Sequence, residues 1–410
     1  MKRVVITGLG ALSPIGNNVS DMWKSILDNK CGIDFITKFD TSDMKVKLAA
    51  EIKNFSPEGL IDPKALRTND LFTVYARIAA NEAIKDSGLD CNSIDKDRFG
   101  CVIASGIGGI QTIGDNEDTL IEKGSSRISP YFIPKSLCNI AAGSVAIDHG
   151  CNGYVTCVVT ACAASTNAIG DAYLRIKNGY EDVMIAGGAE AAITKLAVAG
   201  FQSLRALCTS DNPQRASIPF DKERNGFVMG EGAGVLILEE LEHAIARNAH
   251  IYAEIVGYGA SCDAFHVTAP LENGSGAAAA MKKALSEANI SACEIDYINA
   301  HGTSTHLNDA GETKAIKKVF GDDTKVMVSS TKSNTGHLLG AAGAIEAIIC
   351  TKAIVDSIVP ATINYQVLDE ECSLDVVPNK NRKANIKYAM SNSLGFGGHN
   401  ASLIFKKYGE

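Results

Sequence analysis

The stretch Ala83-Ile84-Lys85-Asp86-Ser87-Gly88-Leu89, followed by Ile94-Asp95, returns as Ala284-Leu285-Ser286-Glu287-Ala288-Asn289-Ile290, followed by Ile295-Asp296, at a constant offset. Each copy reads as a helix end, a Gly or Asn able to take the left-handed cap conformation, and an aspartate ahead of a strand. The opening Val4-Val5-Ile6-Thr7-Gly8-Leu9-Gly10-Ala11 is likewise similar to Ala253-Glu254-Ile255-Val256-Gly257-Tyr258-Gly259-Ala260. A unit that occurs twice implies two related halves, 1–250 and 251–410, with chance similarity of alanine-rich helices as the alternative. No Pro/Gly/Ser linker marks the junction, so the halves are expected to pack into one body.

Outward from the repeat, strand-like runs at 4–7, 100–104, 155–160, 182–186, 235–238, 252–256, 295–300, 325–329 and 401–405 alternate with helix-like segments. This alternation predicts an α/β layered fold. Alanine-rich helices at 75–85, 276–285 and 343–354 have small faces suited to close packing on sheets.

At 410 residues the chain exceeds the usual size of a single core, and 46% hydrophobic with 21% charged residues describes a folded protein. A net charge of −8 argues against nucleic acid as the main partner. No apolar run approaches the ~20 residues of a membrane span. Met1-Lys2-Arg3-Val4-Val5-Ile6-Thr7-Gly8 reaches glycine too early for a secretory signal and reads as a first strand and turn. The 12 cysteines form no C-x-x-C pair, which excludes a zinc ribbon or thioredoxin-like motif; no metal site is expected. So many thiols without a secretory signal point to a reducing compartment, hence the cytoplasm.

Chemistry concentrates at strand ends. Val158-Val159-Thr160-Ala161-Cys162-Ala163-Ala164-Ser165 is a β-branched run that turns into a helical segment, which would set Cys162 at a helix N-terminus. Unpaired N–H groups and the helix dipole there favour a thiolate, whereas a free cysteine elsewhere usually just packs. Ile298-Asn299-Ala300-His301-Gly302-Thr303-Ser304-Thr305 and Ser329-Ser330-Thr331-Lys332-Ser333-Asn334-Thr335-Gly336-His337 place histidines and hydroxyls in loops, the second ahead of a helix at 338–353. Singly, each histidine reads more as a hydrogen-bonded structural residue than as a catalyst; two such loops and a cysteine in an equivalent position shift that balance. Asn392-Ser393-Leu394-Gly395-Phe396-Gly397-Gly398-His399-Asn400 reads as a glycine-rich turn whose backbone can approach another group closely. It lacks a Walker lysine, and Gly106-Ile107-Gly108-Gly109 departs from G-x-G-x-x-G, so neither reads as a nucleotide loop.

Together, Cys162 in T-A-C-A-A-S, His301 in N-A-H-G-T-S-T, Lys332 and His337 in T-K-S-N-T-G-H, and Phe396 in G-F-G-G resemble the β-ketoacyl-acyl-carrier-protein synthases, over essentially the whole chain. The two-histidine pattern is similar to the elongating branch. The resemblance implies a thiolase-like layered α-β-α-β-α fold from two duplicated halves, and a decarboxylating Claisen condensation in fatty acid elongation. Cys162 would hold the acyl chain, and His301 and His337 would stabilise the enolate left when malonyl-carrier loses carbon dioxide. Backbone N–H groups of Cys162 and Phe396 would form the oxyanion hole, with Phe396 also a gate. Lys332 and Glu346 would order the polar network. Thr303 and Thr305 would bind the pantetheine arm, Ile107 and Phe201 would line the acyl pocket, and Phe227 would sit near the malonyl site.

The same resemblance implies no bound cofactor, a phosphopantetheine arm delivered by acyl-carrier protein, and a homodimer with the strand leading into Cys162 as pairing edge. Lys64, Arg67, Arg127 and Arg205 are candidates for the carrier-docking patch, against a reading as isolated surface charges. His306 and His399 depart from the family's usual proline and threonine. A thiolase would carry a second cysteine where Phe396 stands; an initiating synthase would replace one histidine by asparagine. A two-histidine polyketide synthase is the nearest alternative, and a catalytically silent chain-length partner would lack the nucleophile.

Overall fold

Two copies of one strand order meet at the centre of the sheet. The computed structural model describes residues 1–409. In the first half the sheet takes β1 (Val4–Leu12), β2 (Phe99–Ala104), β3 (Val155–Thr156), β4 (Val183–Glu190) and β5 (Gly232–Glu240). In the second it takes β6 (Ala253–Cys262), β7 (Tyr297–Asn299), β8 (Met327–Ser329), β9 (Tyr388–Gly395) and β10 (His399–Lys407). The spatial order is β8-β7-β9-β10-β6-β1-β5-β4-β2-β3. Outward from the antiparallel β1/β6 pair, each half therefore runs through its fifth, fourth, second and third strand, with the last two contacts parallel.

Glycine decides how close the outer helices come. Helix α1 (Leu71–Ser87) crosses β1 so tightly that a Cβ on Gly10 would lie 1.9 Å from the Ala79 carbonyl oxygen, and one on Gly8 2.3 Å from that of Ala83. Helix α2 (Ile140–His149) packs on β2 beside it. The second half repeats the crossing: a Cβ on Gly259 would lie 2.1 Å from the Ala280 oxygen, within the later helix Ser275–Ala288. The repeated segments end both crossing helices as their sequence implies, at Gly88 with φ 62° and Asn289 with φ 54°.

Between the sheet halves lie α3 (Ala164–Lys177) and, after α4 (Ser275–Ala288) and α5 (His306–Phe320) on the outer face, α6 (Ala342–Asp356). Helices α3 and α6 touch each other and strands of both halves. The three largest apolar cores lie one around α3 and α6, one under α1 and α2, and one under α4 and α5. This is an α-β-α-β-α arrangement. Helix α6 is apolar nearly all round and buried nearly all round, as a central layer requires.

Three expectations shift. Only Val155–Thr156 of the 155–160 run is strand, because the chain must leave the sheet to turn at Ala161. Asn392 to Gly395 belong to β9, paired with β10, so the glycine-rich turn shrinks to 396–398. The helix expected from 338 begins as a 3-10 turn, Leu339–Ala341, before α6.

Replacing Gly10 by alanine forces α1 off β1. Denaturant unfolding of Gly10→Ala should show a loss of about 1–3 kcal/mol, the usual cost of overpacking; unchanged stability would contradict the contact.

Candidate active site

The turn into α3 is strained. Ala161 takes φ 50°, a left-handed conformation that costs a non-glycine residue about 1–2 kcal/mol. It lets a 3-10 turn, Ala161–Ala163, deliver Cys162 into the open end of the fold. Two side chains brace it: Asn167 Nδ2 donates to Thr160 Oγ1 at 2.7 Å, and the Tyr258 hydroxyl, from the second half, donates to Asn167 Oδ1 at 2.8 Å.

Cys162, His301, His337 and Phe396 line one cavity of about 360 Å³, together with Thr303, Thr305, Phe201 and Phe227. A helix N-terminus by itself points to a thiolate at Cys162. The structure corrects this: desolvation pushes the thiol up to about 12, although Lys332 pulls it down. The regular α-helix starts only at Ala164, and apolar neighbours including Ile107, Phe201 and Phe227 surround the sulfur.

His301 follows β7. Its backbone N–H and that of Gly302 each donate to the Glu312 carboxylate at 2.8 Å. His337 follows the short helix Lys332–Thr335 and is held from the first half: its N–H donates to the Val228 carbonyl at 2.7 Å, and the Gly230 N–H donates to its carbonyl at 2.8 Å. The imidazoles stand nearly perpendicular, with centroids 5.2 Å apart. Burial first, and the Lys332 charge second, hold both well below the ordinary histidine value. Neutral rings each carry one N–H donor. Lys332 is itself buried and ion-paired with Glu346, whose carboxyl burial pushes up to about 7 while Lys332 opposes the shift.

The hairpin from β9 to β10 turns through Phe396, Gly397 and Gly398, the glycines at φ 83° and 76°. A Cβ on Gly395 would lie 3.2 Å from the Cys162 nitrogen and 2.7 Å from the Thr160 oxygen, so only glycine brings this turn against Cys162. The Phe396 ring centroid lies 6.4 Å from Phe201, which stacks edge-on with Phe227 at 5.5 Å; Phe227 meets His337 at 5.3 Å. Ile107 packs in the same apolar cluster without lining the cavity. Thr303 and Thr305 hydroxyls are 3.0 Å apart on its wall.

His306 opens α5, at a position where proline would fit equally well, so the departure leaves the backbone regular. The His399 ring lies against Gly397. The described residues hold no cluster of three or more His, Cys, Asp or Glu suited to a metal.

Sequence reasoning passed over the carboxylates beneath the site. Glu312 and Glu190 are fully buried, and each accepts consecutive backbone N–H groups after a parallel strand. Arg224 is buried with Asp309 and Asp369, and Asp309 holds the Ser304 and Phe220 N–H groups. Nothing in their local sequence separates them from surface charges; the strand-end loops they fill were the available signal.

Two family models match: the β-ketoacyl synthase N-terminal domain over residues 1–244 and the β-ketoacyl synthase C-terminal domain over residues 252–366. The chain is 53% identical over 408 residues to a 3-oxoacyl-[acyl-carrier-protein] synthase 2 of Staphylococcus aureus, covering 99% of both. It is 50% identical to the protein of that name from Synechocystis, covering 99% of this chain and 98% of that one. A β-ketoacyl synthase from Burkholderia phymatum superposes with a TM-score of 0.93 at 36% identity, covering 99% of this chain and all of that one. The ishigamide ketosynthase/chain length factor superposes with a TM-score of 0.94 at 36% identity, covering 100% of both chains. With a cysteine from one half facing two histidines from the other, and with both family models matched, the chain belongs to the β-ketoacyl synthase family.

Proposed function

We propose that this chain is an acyltransferase that condenses an acyl group held on Cys162 with malonyl-acyl-carrier protein, giving 3-oxoacyl-carrier protein and carbon dioxide in fatty acid elongation. The observation that carries the reading is the single cavity on which Cys162, His301, His337 and Phe396 converge from two halves. The reading also takes the halves as duplicated units meeting near residue 250, the first supplying the nucleophile and the second the histidines. Two structural neighbours, the ishigamide ketosynthase and a type II PKS ketosynthase, stand at 35–36% identity; the 53% identity to a 3-oxoacyl-[acyl-carrier-protein] synthase 2 favours fatty acid elongation over a polyketide role.

In the first half-reaction Cys162 attacks the acyl thioester, the carrier thiol leaves, and a new thioester holds the chain. Because burial keeps the resting thiol protonated, its proton passes to the departing carrier thiolate as the sulfur attacks. The backbone N–H groups of Cys162 and Phe396 stabilise the tetrahedral oxyanion. Malonyl-carrier then binds, its arm beside Thr303 and Thr305. Neutral His301 and His337 each donate a ring N–H to the malonyl thioester oxygen as carbon dioxide departs; the carbanion attacks the acyl carbon on Cys162, the bond from that carbon to the Cys162 sulfur breaks, and the sulfur leaves as thiolate that regains a proton. The Lys332 charge helps burial keep the rings neutral, and Glu346 holds Lys332 in place. Phe227 borders the malonyl side, Ile107 and Phe201 border the acyl chain, and Phe396 gates between them. No resident cofactor takes part; the phosphopantetheine arm arrives with its carrier.

Labelled acyl-carrier protein should leave a thioester-bound acyl group on the wild type and none on Cys162→Ala, which should still release carbon dioxide from malonyl-carrier. His301→Ala and His337→Ala should keep the labelling and lose decarboxylation by about 10²-fold or more. Equal labelling of Cys162→Ala would sink the assignment.

For the carrier we propose a basic docking patch of Lys64, Arg67, Arg127 and Arg205. All four are exposed and in no ion pair among the described residues, and Arg205 lines the cavity mouth. Raising ionic strength, or Arg205→Glu, should raise the KM for acyl-carrier protein with a smaller change in kcat; a salt-independent KM would count against the patch.

The chain is also read as a homodimer. Its sheet ends at β3, an unpaired edge, and on α2, which packs against that strand, Ile147 stands 84% exposed. Sedimentation should give the dimer mass, and Ile147→Glu should shift it toward the monomer; a monomeric wild type at micromolar concentration would overturn this. Twelve free cysteines, and the absence among described residues of any helix long and apolar enough to cross a membrane, favour a cytoplasmic setting.

A further inference from the structure

One buried carboxylate close to Cys162 has no role in the mechanism above. Glu190 ends β4 and is fully inaccessible. Four neutral donors surround it, and no cation pairs with it among the described residues. The Ser105 hydroxyl donates to Oε1 at 2.9 Å and the Ile107 N–H to the same oxygen at 3.2 Å. The Gly106 N–H donates to Oε2 at 2.7 Å, and the Gly340 N–H to Oε2 at 3.0 Å. The Ser105 oxygen in turn accepts the Gly108 N–H at 3.0 Å, so one carboxylate organises the whole loop 105–108.

The contact also joins the two halves. Gly340 belongs to the turn that starts α6, whereas the 105–108 loop follows β2. A Cβ on Gly106 would lie 2.8 Å from Glu190 Oε2, and one on Gly340 would lie 2.7 Å from it and 2.3 Å from the Gly106 nitrogen. Both glycines are therefore demanded by this carboxylate and the backbone it gathers. The loop carries Ile107, which shares an apolar cluster with Cys162 and Phe201. In the second half Glu312 grips His301 and Gly302 in the same manner, at the matching strand end. A carboxylate that positions a catalytic loop there has its counterpart here under the acyl side.

We infer that Glu190 is a positioning residue for the acyl half-reaction: its carboxylate holds Ile107 in place against the chain bound to Cys162, and so sets which acyl lengths are accepted. This rests on the condensing-enzyme reading. A second consequence is electrostatic. Cys162 faces Lys332, which favours its thiolate, and Glu346 and Glu190, which oppose it. Glu190 also faces the thiols of Cys138 and Cys157. Removing the Glu190 charge lowers the cost of the Cys162 thiolate.

The test compares wild type, Glu190→Gln and Glu190→Asp with a series of acyl-carrier proteins and with iodoacetamide, scoring Cys162 by peptide mass spectrometry. In wild type, alkylation of Cys162 should climb about tenfold per pH unit between pH 7 and 9, as expected for a thiol whose value lies far above that window. Glu190→Gln should move this profile toward acid by about one unit, making alkylation at pH 8 about tenfold faster. Glu190→Asp keeps the charge, so its alkylation profile should match wild type, while its shorter reach loosens the loop. Both variants should change the ratio of kcat/KM between long and short acyl chains by about threefold or more, roughly the effect of one methylene in an apolar pocket. Malonyl decarboxylation, which depends on the histidines, should stay within about twofold of wild type. Should Glu190→Gln fail to fold, Ser105→Ala removes one of the four donors and carries the chain-length measurement, with the same change expected. An unaltered chain-length ratio in the folded variants overturns the inference, as does a Glu190→Gln alkylation profile that coincides with wild type. A wild type that forms no acyl-Cys162 overturns the condensing-enzyme reading instead.

Discussion

The contact between α3 and α6 is the constraint on which the rest of the structure depends. A Cβ on Gly343 would lie 1.9 Å from Thr166 Oγ1, and the Ser165 hydroxyl accepts the Ala344 N–H at 2.9 Å. Two central helices pack with almost no side-chain volume between their first turns. Each starts from a 3-10 turn whose first residue is left-handed, Ala161 at φ 50° and Leu339 at φ 49°. The strain persists only because the surrounding layers over-determine the backbone there. Its product is a seam where the turn bearing Cys162 faces the loops bearing His301 and His337.

Electrostatics at that seam follow from burial rather than from any single favourable partner. Desolvation raises the Cys162 thiol, lowers both imidazoles and raises Glu346 and Glu312, so burial disfavours charge on each of these groups. A weakly charged, water-poor site suits a reaction in which negative charge develops first on a tetrahedral oxygen and then on an enolate. Fixed N–H dipoles stabilise such charges more in a low dielectric than they would in water. The buried carboxylates under the loops act on the backbone instead. Glu190 and Glu312 hold N–H groups in place, so that the loops above them keep one shape.

Much of this was legible in order. The helix caps at Gly88 and Asn289, the glycine pairs in β1 and β6, and the alternation of strands and helices are local features, and local physics places them. The chemistry-bearing residues could be named from their motifs. The state of the thiol could not, because a helix N-terminus and an apolar pocket push a cysteine in opposite directions, and only packing tells which prevails. Likewise Asn392 to Gly395 looked like a turn by composition, yet pairing with β10 made them a strand.

By itself the sequence determined an α/β chain with an internal repeat, and it singled out the motifs around Cys162, His301, Lys332, His337 and Phe396 as the candidate chemistry. Periodicity, glycine placement and motif chemistry are properties of neighbours along the chain. The tertiary structure alone decided that Cys162, His301, His337 and Phe396 share one cavity while Lys332 lies buried outside its lining, that burial raises the thiol, and that Glu190 and Glu312 lie beneath the loops. Those outcomes depend on desolvation and on contacts between residues far apart along the chain, which no local pattern encodes.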